Sequence, residues 1–143
     1  MVSQAGVKSS ITVLVLAAAS GCSSASAPEP AAQVFPASDV AVALGDTITL
    51  AQTGLRIGFR EVASDSRCPV DAVCIWSGNA EIVLDLLAPP LPVRTGRLNT
   101  DSGNKELVFT GYLVQLTGLD PAPYSNDSTR AYIAHLRWRY LPD

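Results

Sequence analysis

With 143 residues, the chain is long enough for one domain and too short for two. Hydrophobic residues make up 48% of it and charged residues 16%, which excludes a disordered chain and calls for a packed core. The formal net charge of −3 leaves no general basic face of the kind that binding along a nucleic-acid backbone needs, so no nucleic-acid partner is expected.

Residues 1–21 carry one charge, Lys8, ahead of an apolar run over residues 11–19. That run has the length of a signal-peptide core and is too short to span a bilayer. It ends in Ala19-Ser20-Gly21-Cys22, which resembles the bacterial lipobox, although leucine is usual where Ala19 stands. The resemblance implies that residues 1–21 are removed and that Cys22 is acylated, giving the mature chain a membrane anchor. An ordinary cleavage after Ala27 would put Pro28 next to the cut, which signal peptidases tolerate poorly. Ser23 resembles the default signal for sorting to the outer membrane. Without residues 1–21 the chain holds 9 basic and 13 acidic residues. Residues 22–38, rich in Ser, Ala and Pro, read as a solvated tether, and residues 39–143 as the folded domain.

The folded part shows strand periodicity throughout. Val40, Val42 and Leu44 alternate with alanines, and Gly45-Asp46 is a turn signal. Residues 47–50 alternate again, which suggests a hairpin leading into a longer strand over residues 55–62. In that strand Leu55, Ile57 and Phe59 share one face, and Arg56, Gly58 and Arg60 the other.

Next comes Asp65-Ser66-Arg67-Cys68-Pro69-Val70-Asp71-Ala72-Val73-Cys74-Ile75-Trp76-Ser77-Gly78-Asn79. The chain has three cysteines, and the odd count resolves if Cys22 is acylated and Cys68 pairs with Cys74 in an oxidising compartment. A loop this short contributes roughly 2 kcal/mol by chain entropy, so the bridge mainly stiffens it. Zinc ligation fits poorly because His135 is the only histidine, and the spacing is not that of a Cys-x-x-Cys redox pair. Trp76 is expected to pack in the core against the bridge; an exposed ligand platform is the alternative.

Residues 80–87 form the most apolar run, with Glu81 and Asp85 on one solvated face. The proline-rich residues 88–92 cannot sit inside a sheet and should cross between sheets or around an edge. Shorter strands follow, with a turn at residues 101–104 and a polar loop at residues 124–129. The last strand puts Tyr132, Ala134, Leu136, Trp138 and Tyr140 on a core face, and His135, Arg137 and Arg139 on the other. Seven to nine strands without a helix predict an all-β, antiparallel β-sandwich or barrel-like sandwich with one short-loop disulfide.

No nucleophile elbow, phosphate-cradling glycine loop or zinc-protease motif is present, and no cofactor or metal is expected. A hydrolase would have to use His135, alone on a strand face. Arg56, Arg60, Arg137 and Arg139 would form a basic patch for an anionic polymer or an acidic envelope protein if their two strands were neighbours.

The run Asp65-Ser66-Arg67-Cys68-Pro69, followed by Cys74-Ile75-Trp76-Ser77-Gly78, resembles an uncharacterised family of small exported bacterial β-domains and lipoproteins. Ser77 stands where that family commonly has a smaller residue. The resemblance covers about residues 55–87 closely and the later strands loosely. It implies a small β-domain with a Cys68–Cys74 bridge and no known activity.

The sequence therefore predicts a non-enzymatic, lipid-anchored envelope protein that serves as an interaction or structural module. The alternative is a small binding or inhibitor module that presents the Cys68–Cys74 loop to a partner. Exposure decides between them: outward-pointing Val70, Val73 and Ile75 favour the second.

Overall fold

The computed structural model describes residues 37–127 and 130–142. Cys22, the signal-peptide segment and nearly all of the tether lie outside the described residues. Among the described residues there is no helix, and eight strands form two antiparallel sheets of four. The strands are β1 (Ser38–Ala43), β2 (Thr47–Thr49), β3 (Arg56–Asp65), β4 (Ala80–Leu87), β5 (Arg94–Asn99), β6 (Glu106–Phe109), β7 (Tyr112–Asp120) and β8 (Ile133–Tyr140). One sheet runs β1-β8-β7-β6 and the other β2-β3-β4-β5.

Period-two alternation builds the core. Ile57 and Phe59, then Ala80, Ile82, Leu84 and Leu86, face inward from one sheet. Val114, Leu116, Ala134, Leu136 and Trp138 meet them from the other. Two strands change parity to keep apolar residues inside. In β7 a bulge between Leu116 and Gly118 turns Leu119 inward opposite Ala134. In β3 a bulge between Phe59 and Glu61 sets Val62 opposite Ile82 and packs it against the core, and a second follows Val62. An extra residue in one strand shifts which side chains face the core, so strict alternation overlooks both places.

Two expected connections differ. The first two strands do not form a hairpin: β1 pairs with β8, and β2 pairs with β3. Residues 44–46 instead carry the chain from one sheet to the other, with Gly45 at φ 90° and its N–H donating to the Phe59 carbonyl. Of the two courses expected for the proline-rich segment, the crossing between sheets does not occur: it joins β4 to β5, the neighbouring edge strand. The crossing falls at residues 100–105, between β5 and β6.

β1 begins at Ser38 opposite Trp138 and ends at Ala43 opposite Ile133. The chain thus enters the sandwich about 15 Å along the strand direction from the end where β7 and β8 meet the long β3–β4 connection. That connection, residues 66–79, contains the motif.

Candidate functional site

The β3–β4 connection begins as a continuation of the hairpin. Asp65 pairs with Ala80 in the ladder. The Ser66 N–H donates to the Asn79 carbonyl at 2.8 Å, and the Cys68 N–H to the Ser77 carbonyl at 2.7 Å. The Cys68–Cys74 disulfide closes the tip, with Cα atoms 5.9 Å apart. Gly78 sits at φ 72° against the opposite arm, and a Cβ there would collide with the Ser66 carbonyl. Only glycine combines that dihedral with that approach.

The base of the loop is fastened by Asp65, whose side chain is only 5% exposed. Its Oδ1 accepts from the Arg67 backbone N–H at 3.2 Å, the local Asx geometry expected of Asp in a turn. The Arg67 guanidinium grips both carboxylate oxygens, Nε to Oδ1 and Nη2 to Oδ2, each at 2.9 Å. Arg130 Nη1 and the Tyr132 hydroxyl each add a bond to Oδ2 at 3.0 Å. Burial opposes ionisation of Asp65, but the hydrogen bonds from Arg67 and Tyr132 and the nearby Arg67 charge outweigh it and hold its pKa at about 2. Arg67 also donates to the Leu119 and Pro121 carbonyls, so the motif arginine ties β3 to the end of β7.

Two neighbouring loops brace the arms above this base. On one side the Val70 N–H donates to the Pro123 carbonyl, and Asp71 Oδ1 accepts from the Ser125 N–H and hydroxyl. The Ser125 N–H is the main cause that holds the Asp71 carboxyl below its ordinary value. On the other side the Ser77 hydroxyl donates to Asp101 Oδ2 at 2.6 Å. The Asn79 side chain accepts from the Asp101 N–H and donates to Asn99 Oδ1.

The tip between these braces points away from the core. Val73 is 104% exposed, Ile75 93%, Trp76 78% and Val70 56%. Trp76 is therefore not the core residue that its place beside the disulfide suggested. The arms are already held at the Ser66–Asn79 and Cys68–Ser77 pairs, and the chain bends at Ile75 and Trp76 instead of remaining in a strand. The strand parity that would have turned Trp76 inward does not apply. The core tryptophan is Trp138, which meets Tyr112 edge to face at 6.0 Å.

The other candidate residues are dispersed. Arg56 and Arg60 lie on β3, and Arg137 and Arg139 on β8, in different sheets with their side chains on opposite outer faces. The condition for a joint basic patch is not met. Arg60 pairs with Asp85 at 3.2 Å, and Arg137 grips Asp39 at 2.8 and 3.1 Å. Glu81 is bonded by Arg97. His135 Nε2 lies 2.8 Å from Asp120 Oδ2. The Thr117 hydroxyl donates to the His135 carbonyl and not to its ring.

The two braces and Arg130 escaped the sequence reading. Their contacts to the motif span 20 to 65 residues, so no local pattern announces them. No family model, curated protein or solved structure matches this chain.

Proposed function

We propose that this is a non-catalytic binding module, held in the cell envelope through Cys22, that engages a protein partner by inserting the Cys68–Cys74 loop into a concave apolar site. The observation that carries this reading is the exposure of Val70, Val73, Ile75 and Trp76 on one braced loop. Full burial of such a side chain is worth about 1.5–3 kcal/mol, which the isolated domain forgoes several times over. Clustered apolar exposure of this kind marks interaction sites, and a loop already ordered by its own bonds loses little entropy on binding.

The shape of the loop calls for a concave acceptor. Surface clefts of about 510 and 370 Å³ are open and lie beside the ion pairs Asp39–Arg137 and Arg60–Asp85. The chain enters β1 at the opposite end of the sandwich from the loop.

The test places a photo-crosslinking residue at position 76 in cells and a second one at Arg94 on the far end. The expected result is one discrete crosslinked protein from position 76 alone, lost when Val73→Asp is added. Equal crosslinking from both positions, or a product that Val73→Asp leaves intact, contradicts the proposal.

A further inference from the structure

The backbone of the tip is as available as its side chains. Among the described residues, nothing hydrogen-bonds the N–H or C=O groups of Val73, Cys74, Ile75 or Trp76. The last internal bond on one side is Ala72 N–H to the Pro69 carbonyl, and on the other Cys68 N–H to the Ser77 carbonyl. The loop thus offers a short run of unpaired main chain, belonging to neither strand nor turn at Val73 and Cys74, flanked by two fully exposed aliphatic side chains.

A lipid surface is a poor acceptor for that run. Main-chain groups pushed into hydrocarbon without partners cost several kcal/mol each, and the Asp71 and Asp101 carboxylates stand beside the tip. A flat protein surface satisfies the side chains and not the main chain. A cleft that pairs with extended backbone and takes one side chain into a pocket satisfies both. That is how an endopeptidase holds its substrate.

We propose that the loop binds in the active-site cleft of an endopeptidase with an aliphatic specificity pocket, with Val73 in the pocket and the main chain on either side of it paired with the cleft. This deepens the reading of the loop as a docking tip and rests on it. The braces supply what separates an inhibitor from a substrate. The disulfide holds Cys74 to Cys68, Asp71 is bonded to Ser125, and Ser77 to Asp101, so both flanks of the bound segment stay in place. A linear peptide of the same sequence must be ordered on binding and is released once cut.

The experiment uses the folded domain against two purified probes, an elastase-type and a subtilisin-type serine endopeptidase, each with a chromogenic peptide substrate. The expected result is competitive inhibition of at least one probe by the wild type. Val73→Asp should weaken it about 100-fold, as for the central residue of an interface, while Val93→Asp, at an exposed apolar site on the far end, should leave it unchanged. The linear peptide of residues 69–79 should be cleaved by the same probe and inhibit it far more weakly than the domain does. If neither probe is inhibited, or Val73→Asp inhibits as well as the wild type, the inhibitor proposal is overturned. A crosslinked partner at position 76 that is not a peptidase also overturns it and leaves the docking reading standing. Loss of that crosslink's dependence on Val73 removes both.

Discussion

The Tyr132 hydroxyl donates to Asp65 Oδ2 at 3.0 Å, although 67 residues separate the two in sequence. Asp65 ends β3 in one sheet, and Tyr132 immediately precedes β8 in the other. With Arg67 and Arg130 converging on the same carboxylate, this contact fastens the two sheets together directly beneath the exposed loop.

Replacing that carboxylate should be costly. Asp65→Asn keeps the shape and removes the charge, leaving Arg67 and Arg130 without their shared counter-ion at a site where both side chains are 14% exposed. The expected loss is about 3 kcal/mol, read as a lower urea midpoint with an unchanged slope. Asp39→Asn, which breaks an exposed pair with Arg137, should shift the midpoint hardly at all.

The same group gives stability a dependence on pH. The Asp65 pKa is depressed from 3.8 to about 2 on folding, so the unfolded chain takes up the proton first as pH falls. Its contribution is complete above about pH 5 and is lost progressively between about pH 4 and 2. The shift is worth roughly 2 kcal/mol. Wild type and Asp65→Asn should therefore differ most near neutrality and converge toward pH 2, measured by urea unfolding at each pH. A constant difference across that window would count against the role given to Asp65.

Glycine positions separate backbone strain from collision. Gly45 and Gly78 both hold positive φ, but a Cβ at Gly45 meets nothing within 4 Å, and one at Gly78 strikes the Ser66 backbone. Gly45→Ala should cost about 1 kcal/mol. Gly78→Ala should cost roughly 3 kcal/mol and displace the loop arms, detected as shifted amide resonances at Ser66 and Asn79.

Acylation of Cys22 is tested by intact mass and membrane fractionation of the natively expressed protein. The wild type should carry acyl mass and sediment with membranes, and Cys22→Ala should do neither. An unacylated soluble wild type would leave the loop's role in place and make the domain a diffusible binder.

Much of the sandwich was legible because its core residues repeat with period two. Ile57 with Phe59, Ile82 with Leu84, and Leu136 with Trp138 announce both strand and inward face. Strand partners were not legible. The turn at Gly45-Asp46 has the same local chemistry whether it closes a hairpin or changes sheet, and the strand that β1 pairs with, β8, lies far along the chain. At the loop, the turn role of Asp65 and Ser66 and the Cys68–Cys74 bond followed from side-chain chemistry and cysteine count. The orientation of Trp76 did not. It depends on arms held by Pro123, Ser125 and Asp101, residues far along the chain whose pairing no local pattern encodes.

The claim that everything functional here rests on is that Trp76 stands in water while the domain is folded, and fluorescence quenching measures it directly. Trp138→Phe keeps a ring in the core and leaves Trp76 as the only tryptophan; Trp76→Phe leaves only Trp138. With acrylamide, the Trp76-only protein should be quenched almost as fast folded as in urea, and the Trp138-only protein should be protected until it unfolds. Protection of Trp76 in the folded domain would put the tip against the body of the protein and contradict the account.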